Sequence, residues 1–273
     1  MGNESIIGLD YADRMATITF NRPERRNAFN EDMWTRLEEI VSKLRGNLPR
    51  VILLRGKGDI AFSAGFDVNP DNPQVSSLIG AVQNHDASAI EPLIRRIRGA
   101  IDSLVSLPVP IIAAINGNAY GGGAELAIRS DIRVMDPNAV ICFSEVKLGL
   151  MTDWGGGVAL TRLVGPSRAA DIILTARKVG ADDALSMGLV NYISRPGKAY
   201  EDSREIAEKI ASNGPRAVRA ALDLIRHSAY LTRDEALELE STKAIELIAS
   251  GECYHGISAF LSGKEPDFPD IED

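Results

Sequence analysis

Short apolar runs separated by amphipathic segments constrain the first 157 residues of the chain more than any other feature. Residues 51–54 and 110–115 are continuous apolar stretches, the pattern of strands covered on both faces. Residues 15–20 alternate at period two, and residues 132–135 and 140–143 indicate further strands. Because helical segments separate these strands, the pattern predicts a parallel α/β sheet with right-handed crossovers.

Two amphipathic helices are predicted between these strands. The first follows Asn30, whose side chain can cap it, and the second runs from Ile90 to Leu104 before Pro108 and Pro110 end it. The apolar stripe of the first helix consists of Met33, Leu37, Ile40, Val41 and Leu44. The polar stretch 69–89 is predicted to be a loop.

After about residue 157 the pattern becomes helical, and only residues 189–193 indicate a strand. Helices are predicted at 157–164, 167–176, 180–186, 200–213, 215–228, 232–249 and 252–262. We therefore predict a core domain over residues 1–195 and a helical region over residues 196–273. The helical region needs a surface to pack on, either the sheet or another subunit.

Charge and composition exclude several classes of protein. Thirty Lys and Arg against 38 Asp and Glu give a net charge of -8, which argues against nucleic acid or anionic membranes as partners. The chain has only two cysteines and three histidines, and their spacing does not match that of metal ligands. A disulfide framework and a metal site are therefore not expected. No apolar run is long enough to span a membrane, and residues 1–10 lack the pattern of a secretory signal, so we expect a cytoplasmic protein.

Two loops follow the carboxyl ends of predicted strands, where open α/β sheets place their ligands. They span residues 61–68 and 116–125, and the second has three consecutive glycines at the start of a helix. A helix N-terminus presents free N–H groups that can stabilise an oxyanion. The glycines match neither a dinucleotide nor a P-loop fingerprint, and tight packing of helix on sheet is an equal alternative.

Three carboxylates and a basic turn are the other candidates for chemistry. Glu125, Glu145 and Asp153 could converge as general acid and base, although residue type alone favours ordinary capping and loop roles. Arg22, Arg25 and Arg26 form a basic turn that could hold phosphates or simply be solvated.

Six segments in register make the chain similar to the enoyl-CoA hydratase/isomerase (crotonase) superfamily over about residues 6–268. They are NRPERRNAFN (21–30), AFSAGFDV (61–68), INGNAYGGGAELAIRSDIRV (115–134), FSEVKLGL (143–150), GGGVALTRLVG (155–165) and AFLSGKEPDF (259–268). The resemblance implies a crotonase-like ββα spiral with a C-terminal helical trimerisation region. It also implies an acyl-CoA thioester substrate, no separate cofactor because the substrate carries the coenzyme A, and a homotrimer or a hexamer of two trimers.

The same resemblance implies roles for particular residues. The backbone N–H groups of Phe66 and Gly122 would form an oxyanion hole, and Glu125 and Glu145 would be the two catalytic glutamates of a hydratase. Substrate and CoA contacts would fall on Arg25, Arg26, Ala28, Ala64, Asp67, Val68, Tyr120 and Gly121, with Phe260 and Lys264 reaching CoA from the C-terminal region. No metal site is implied.

Two positions and one segment depart from the hydratase pattern. Asp153 stands where many hydratases have glycine, and Gly263 stands where a basic residue is common. The segment 69–89 is longer than the corresponding segment of short-chain hydratases. The leading prediction is an enoyl-CoA hydratase. The alternative is an enoyl-CoA or dienoyl-CoA double-bond isomerase that uses Asp153 as an added acid or base, and a non-catalytic binding member of the fold is less favoured.

Overall fold

The computed structural model describes residues 5–271, which form two β-sheets surrounded by helices. The strands are Ile7–Ala12 (β1), Met15–Phe20 (β2), Val51–Gly56 (β3), Ala61–Ser63 (β4), Ile111–Ile115 (β5), Asn118–Tyr120 (β6), Ile132–Met135 (β7), Val140–Cys142 (β8), Val179–Gly180 (β9) and Tyr192–Ile193 (β10). The helices are Glu31–Gly46 (α1), Pro73–Gln83 (α2), Ala87–Val105 (α3), Gly122–Ile128 (α4), Gly156–Val164 (α5), Pro166–Thr175 (α6), Ala181–Ser186 (α7), Ala199–Ala211 (α8), Pro215–Ser228 (α9), Arg233–Ala249 (α10) and Glu252–Leu261 (α11). Two short 3-10 helices span Pro23–Arg25 and Glu145–Leu148.

The larger sheet has the strand order β1-β2-β3-β5-β7-β10 and is parallel from β2 onward. The parallel sheet predicted from the apolar runs is therefore correct for these strands. The antiparallel strand β1 is missing from the prediction, although it pairs with β2 along its whole length. Asp13 and Arg14 form the two-residue turn between them, and both have the positive φ that a tight right-twisted hairpin requires.

The smaller sheet has the order β4-β6-β8-β9 and brings the candidate loops together. Strands β4, β6 and β8 are parallel, and β9 is antiparallel to β8. The loops that follow β4, β6 and β8 therefore leave the same edge of the sheet. Phe66, Gly122 and Glu145 of the predicted site follow these three strands, whereas Arg25, Arg26, Phe260 and Lys264 belong to other parts of the chain.

Helix α1 covers the sheets with the apolar stripe that its sequence predicts. Asn30 caps it by accepting a hydrogen bond from the Met33 N–H at 3.1 Å, as expected. Its buried residues are Met33, Trp34, Leu37, Ile40, Val41 and Leu44. Trp34, which the predicted stripe omitted, joins an aromatic cluster that extends to the candidate site.

Residues 69–89 are not the loop that their polar composition predicted. Helix α2 occupies most of the stretch, and α3 already begins at Ala87. Asn72 and Asp86 cap the two helices by accepting backbone N–H groups, and Pro73 stands at the start of α2, where its missing N–H costs nothing. The capping residues themselves made the segment look polar.

The C-terminal helices differ from one another in how they pack. Helix α8 lies on the larger sheet, where Ala207 and Ala211 contact Val51 and Leu53. Helix α10 has no buried residue, and Glu252 is the one buried residue of α11. None of the helices within residues 5–271 combines the length and apolar character that a membrane crossing needs.

Candidate active site

The loops after β4 and β6 meet at two glycines. Gly65 has a φ of +82°, which side chains rarely adopt, and a Cβ at this position would lie 2.6 Å from the Gly122 nitrogen. The backbones of the two loops are therefore in direct contact. This contact places Phe66, which follows Gly65, beside the first residue of α4.

The amide groups of Phe66 and Gly122 are free donors. Phe29 donates its N–H to the Gly65 carbonyl at 2.7 Å and accepts the Asp67 N–H at 2.9 Å, so the Phe66 N–H between them points the other way. Gly122 begins α4, where the first N–H groups have no partner within the helix. Among residues 5–271, neither amide donates a hydrogen bond. Two such donors can stabilise negative charge on a carbonyl oxygen.

Close packing or backbone conformation explains each of the three consecutive glycines. A Cβ on Gly122 would lie 2.6 Å from Cδ2 of the Trp154 indole, and a Cβ on Gly123 would overlap the Ser63 carbonyl. Gly121 instead needs its positive φ of 51°. Tight packing of helix on sheet therefore explains Gly123 alone, since Gly122 packs on the Trp154 ring and Gly121 is required by its backbone conformation.

Glu125 is a fully buried carboxyl group clamped by the turn at 153–156. Its two oxygens accept backbone N–H groups from Asp153 at 3.2 Å, Trp154 at 3.0 Å and Gly156 at 2.7 Å. Burial raises the pKa of Glu125 from 4.5 to about 8, because the desolvation of the charged form outweighs these donors. The nearby charges of Glu145 and Asp153 contribute to this rise. The three backbone N–H groups hold the carboxyl group of Glu125 in a fixed orientation.

Glu145 is buried without a partner. It opens the short 3-10 helix after β8, and neither carboxyl oxygen has a hydrogen-bond partner of ordinary geometry among the described residues. A Cβ on Gly121 would lie 3.9 Å from its Oε1, so the carboxyl group faces the glycine turn. Burial raises the pKa of Glu145, and the charge of Asp153 adds to the rise. An unpaired buried carboxyl group of this kind is suited to hold or transfer a proton.

Asp153 completes the predicted group of three carboxyls. Its backbone N–H donates to Glu125, and burial raises the pKa of its side chain. The bond from its backbone places Asp153 beside Glu125, and the charges of Glu145 and Asp153 contribute to the raised pKa of Glu125. The convergence of the three carboxyls was the less favoured alternative in the sequence. No group of three His, Cys, Asp or Glu side chains in residues 5–271 is arranged to hold a metal ion.

The basic turn is only partly free to bind an anion. Arg22 forms a buried ion pair with Asp67 at 2.9 Å and also donates to the Ala28 carbonyl, so both of these charges are internal to the fold. Arg25 pairs with Asp71 at 2.6 Å. Arg26 is exposed and has no ion pair within the part of the chain that the structure describes.

The other predicted contact residues differ in accessibility. Ala28 is buried, Ala64 and Tyr120 are partly buried, and Val68 is exposed. The Asp67 side chain is buried, and its second oxygen accepts the Asn69 N–H, so its carboxylate is engaged within the chain. In the C-terminal region, Phe260 is 84% exposed, and Lys264 is exposed beyond the end of α11.

Trp154 is the residue of this site that the sequence reasoning missed. Its ring is buried against Gly122, and its backbone N–H binds Glu125. The only signal in the sequence was a large aromatic residue between Asp153 and three glycines at 155–157. A large ring beside several glycines indicates close packing, but it does not by itself identify Trp154 as a site residue.

A separate cavity of about 830 Å³ lies between α3 and the helices α9 and α10. Its charged side chains are largely paired, since Arg226 binds Asp131 through two nitrogens and Lys243 binds Asp223 at 3.0 Å. Among residues 5–271, no buried side-chain atom without a hydrogen-bond partner lines this cavity, whereas both carboxyl oxygens of Glu145 are such atoms. We therefore place the candidate active site at the carboxyl cluster.

Comparison with known proteins identifies the family of the chain. The sequence model of the family described as "Enoyl-CoA hydratase/isomerase" matches residues 11–271. The chain is 34% identical over 258 residues to the short-chain-enoyl-CoA hydratase of Clostridium acetobutylicum, covering 94% of this chain and 95% of that protein. It is 31% identical over 253 residues to the 1,2-epoxyphenylacetyl-CoA isomerase of Escherichia coli, covering 92% and 94%.

Solved structures show the same similarity in three dimensions. The crystal structure of an enoyl-CoA hydratase from Bacillus anthracis superposes with a TM-score of 0.87 at 31% sequence identity. The match covers 96% of this chain and 98% of the other. The similarity therefore extends over both sheets and the C-terminal helices.

Proposed function

The chain belongs to the enoyl-CoA hydratase/isomerase family, and from this premise we propose that it is an enoyl-CoA hydratase that adds water to a 2-enoyl-CoA thioester. One observation carries the proposal. The unpaired carboxyl group of Glu145 and the clamped carboxyl group of Glu125 lie beside two free backbone amides, those of Phe66 and Gly122. Coenzyme A arrives on the substrate, and the proposed reaction needs no other cofactor.

The two amides would bind the thioester carbonyl oxygen. When the oxygen of water attacks Cβ, negative charge moves through Cα to this carbonyl oxygen and forms an enolate. The Phe66 and Gly122 N–H groups are already in place and need no reorganisation, which is the basis of oxyanion stabilisation. The N-terminus of α4 adds a partial positive charge at the same point.

The two glutamates would divide the handling of water between them. No hydrogen bond of ordinary geometry within the described residues holds the carboxyl oxygens of Glu145, so it is the group free to take a proton from water and return a proton to Cα. Glu125 is held by three backbone amides and would orient the water molecule. The hydroxyl group ends on Cβ and one proton on Cα, and both carboxyls return to their starting state.

The CoA phosphates would bind locally, because the chain carries a net charge of -8. Arg26 is exposed and unpaired within the described residues, and Arg25 could exchange Asp71 for a phosphate. We extend the proposal to a homotrimer or hexamer, in which Phe260 and Lys264 would reach the CoA of a neighbouring copy.

A double-bond isomerase is the second candidate, and Asp153 favours it. Asp153 is a third carboxyl group beside the proposed catalytic pair, and burial raises its pKa. Such a group could remove a proton from one carbon of the acyl chain while a second group returns a proton elsewhere. A relative named 1,2-epoxyphenylacetyl-CoA isomerase in Escherichia coli supports isomerase activity within the family.

A panel of unsaturated acyl-CoA thioesters with mass analysis of the products tests the proposal. A hydratase adds the mass of one water molecule, whereas an isomerase moves the double bond at constant mass. Products of unchanged mass from every thioester that reacts would overturn the hydratase proposal in favour of the isomerase.

The Asp153→Asn variant separates the roles further. Loss of isomerisation with hydration intact would assign Asp153 a proton-transfer role. If hydration and isomerisation both change little, Asp153 is structural.

A further inference from the structure

We propose that Trp154 is a positioning residue that holds the Gly122 amide at a fixed place relative to the Phe66 amide. The inference rests on the proposed function, because it assumes that both amides bind the thioester oxygen. Trp154 itself would not touch the reacting atoms. It would act by packing, through contacts with both sides of the oxyanion hole.

The first contact is between the Trp154 ring and Gly122. The ring lies so close to the Gly122 Cα that a single added methyl would fall 2.6 Å from Cδ2. Trp154 is 2% exposed, so the ring fills the space behind the first turn of α4. The position of the Gly122 nitrogen therefore depends on the presence of this ring.

The second contact leads to Phe66 through Phe29. The Phe29 ring packs edge-on against the Trp154 ring with centroids 5.6 Å apart. The Phe29 backbone holds the chain on both sides of Phe66, through its bonds to the Gly65 carbonyl and the Asp67 N–H. Two rings in contact thus connect the backbones that carry the two free amides.

The backbone of Trp154 is itself held in place. Its N–H donates to Glu125 at 3.0 Å, and its carbonyl accepts a hydrogen bond from Arg129 at 2.8 Å. Arg129 in turn pairs with Asp102 of α3 at 2.6 Å. The ring is therefore clamped by the same turn that orients Glu125, which links the oxyanion hole to the proposed catalytic carboxyl group.

Catalysis is sensitive to small displacements of such donors. A shift of about 1 Å in a positioned group can cost roughly 100-fold in rate, and loss of one oxyanion donor costs about 100- to 1000-fold. A smaller ring at 154 would leave a void behind Gly122 without removing either amide. We therefore expect a loss of turnover that stays below the loss of a donor.

The first test is the Trp154→Phe variant with 2-butenoyl-CoA as substrate. We expect kcat to fall about 10- to 100-fold while KM changes less than about threefold, because binding of the CoA portion is untouched. The matched control is Trp34→Phe. Trp34 belongs to the same buried cluster, and its ring lies 4.8 Å from that of Trp154. Its Nε1 has no hydrogen-bond partner to lose, so we expect kcat within about threefold of the wild type.

A spectroscopic test separates positioning from loss of stability. Butanoyl-CoA labelled with ¹³C at the thioester carbonyl cannot be hydrated, and isotope-edited infrared spectroscopy reports how strongly the two amides polarise this bond. We expect the carbonyl band to shift to lower frequency in the wild type and in Trp34→Phe, and to shift less in Trp154→Phe. Trp154→Tyr serves as the second variant if Trp154→Phe does not fold.

The outcomes distinguish the two proposals. If the wild type shows no shift of the carbonyl band, the oxyanion hole itself is wrong and the proposed function fails. If the wild type shows the shift and Trp154→Phe keeps both the full shift and the wild-type kcat, the oxyanion hole stands and the role of Trp154 is overturned. An equal loss of kcat in Trp34→Phe would also overturn it, because the effect would then belong to the whole cluster.

Discussion

At the scale of single residues, the two glutamates differ in their surroundings although they share a residue type. Glu125 accepts three backbone N–H groups, whereas Glu145 has no hydrogen-bond partner among the described residues. Burial raises the pKa of both groups. Backbone donors fix the first side chain, and the lack of donors leaves the second available to substrate and water.

Replacing Glu145 by glutamine should separate activity from stability. The change removes a proton-transfer group together with the cost of a buried charge, so we expect kcat to fall about 100- to 10,000-fold with a Tm that is unchanged or higher. Glu125→Gln should also lose turnover by orders of magnitude. Glu39→Gln, an exposed glutamate of α1, is the control. Near-wild-type turnover in either active-site variant would contradict the two-glutamate mechanism.

Stability should fall as pH rises from about 5 to 8. The pKa of Glu125 rises from 4.5 in the unfolded chain to about 8 in the folded chain, so in this window the folded state holds a proton that the unfolded state has released. Stability from this group is complete below pH 4.5 and is lost as pH rises through 8. Carboxyls with lowered pKa, such as Asp102, are ionised throughout. Urea unfolding at several pH values measures the slope.

The control for this pH dependence is Glu125→Gln, which cannot titrate. Its free energy of unfolding should change less across the same window. A wild-type stability that stays flat or rises from pH 5 to 8 would show that Glu125 does not keep a proton in the folded protein.

At the scale of secondary structure elements, α2 connects the basic turn to the rest of the site. Asn72 caps α2 and donates to the Asp67 carbonyl, while Gln74 donates to Glu31 of α1. Asp71, just before the cap, pairs with Arg25. The segment that departs from short-chain hydratases in length thus supplies a carboxylate that competes with any phosphate for Arg25.

Asp71→Asn should tighten the binding of CoA. Removing the carboxylate frees Arg25 for a phosphate, and because an exposed ion pair contributes about 0.2–1 kcal/mol, we expect Kd to fall by up to about fivefold. Isothermal titration with CoA measures the effect. Asp182→Asn, an exposed aspartate of α7, is the control. An unchanged or weaker affinity would show that Arg25 does not bind the phosphates.

At the scale of the whole molecule, the fold class predicted from the sequence is confirmed: the chain has the crotonase-like α/β fold of enoyl-CoA hydratases. Trimerisation stays a prediction, as does the division at residue 195. The C-terminal helices nevertheless leave a large apolar surface uncovered, which is typical of an interaction site. Its exposed side chains are Leu237, Ile245, Ile248, Tyr254, Ile257, Phe260 and Leu261.

We expect the protein to be a trimer or hexamer in solution. Burial of this apolar surface between copies would stabilise the assembly. Light scattering after size exclusion at micromolar concentration measures the mass, and Ile248→Glu should shift the distribution towards smaller species. A wild-type protein that elutes as a monomer of about 29.5 kDa would contradict the prediction.

Sequence patterns predicted the buried strands and the long amphipathic helices, and they failed for elements that have no clear periodicity. The buried strands β3 and β5 and the cap at Asn30 were predicted because burial on both faces and a local hydrogen bond leave clear signatures. Strand β1 was missed because it pairs only at the edge of the sheet. Helix α2 was missed because its caps are polar and its apolar residues do not form one buried stripe: Ile79 and Val82 are exposed, whereas Gln74 is buried.

The sequence by itself determined the order of the buried strands, of most helices and of the glycine turns, and with it the family resemblance and the candidate carboxyls. Only the tertiary structure decided which carboxyl group accepts backbone N–H groups and which has no hydrogen-bond partner of ordinary geometry. It also decided that Asp67 forms a buried ion pair and that the Trp154 ring packs against Gly122. The sequence cannot reveal these contacts because the residues that make them are far apart along the chain. Periodicity and capping act between near neighbours, whereas hydrogen bonds between residues 125 and 156 and ring contacts between residues 29 and 154 exist only after folding brings them together.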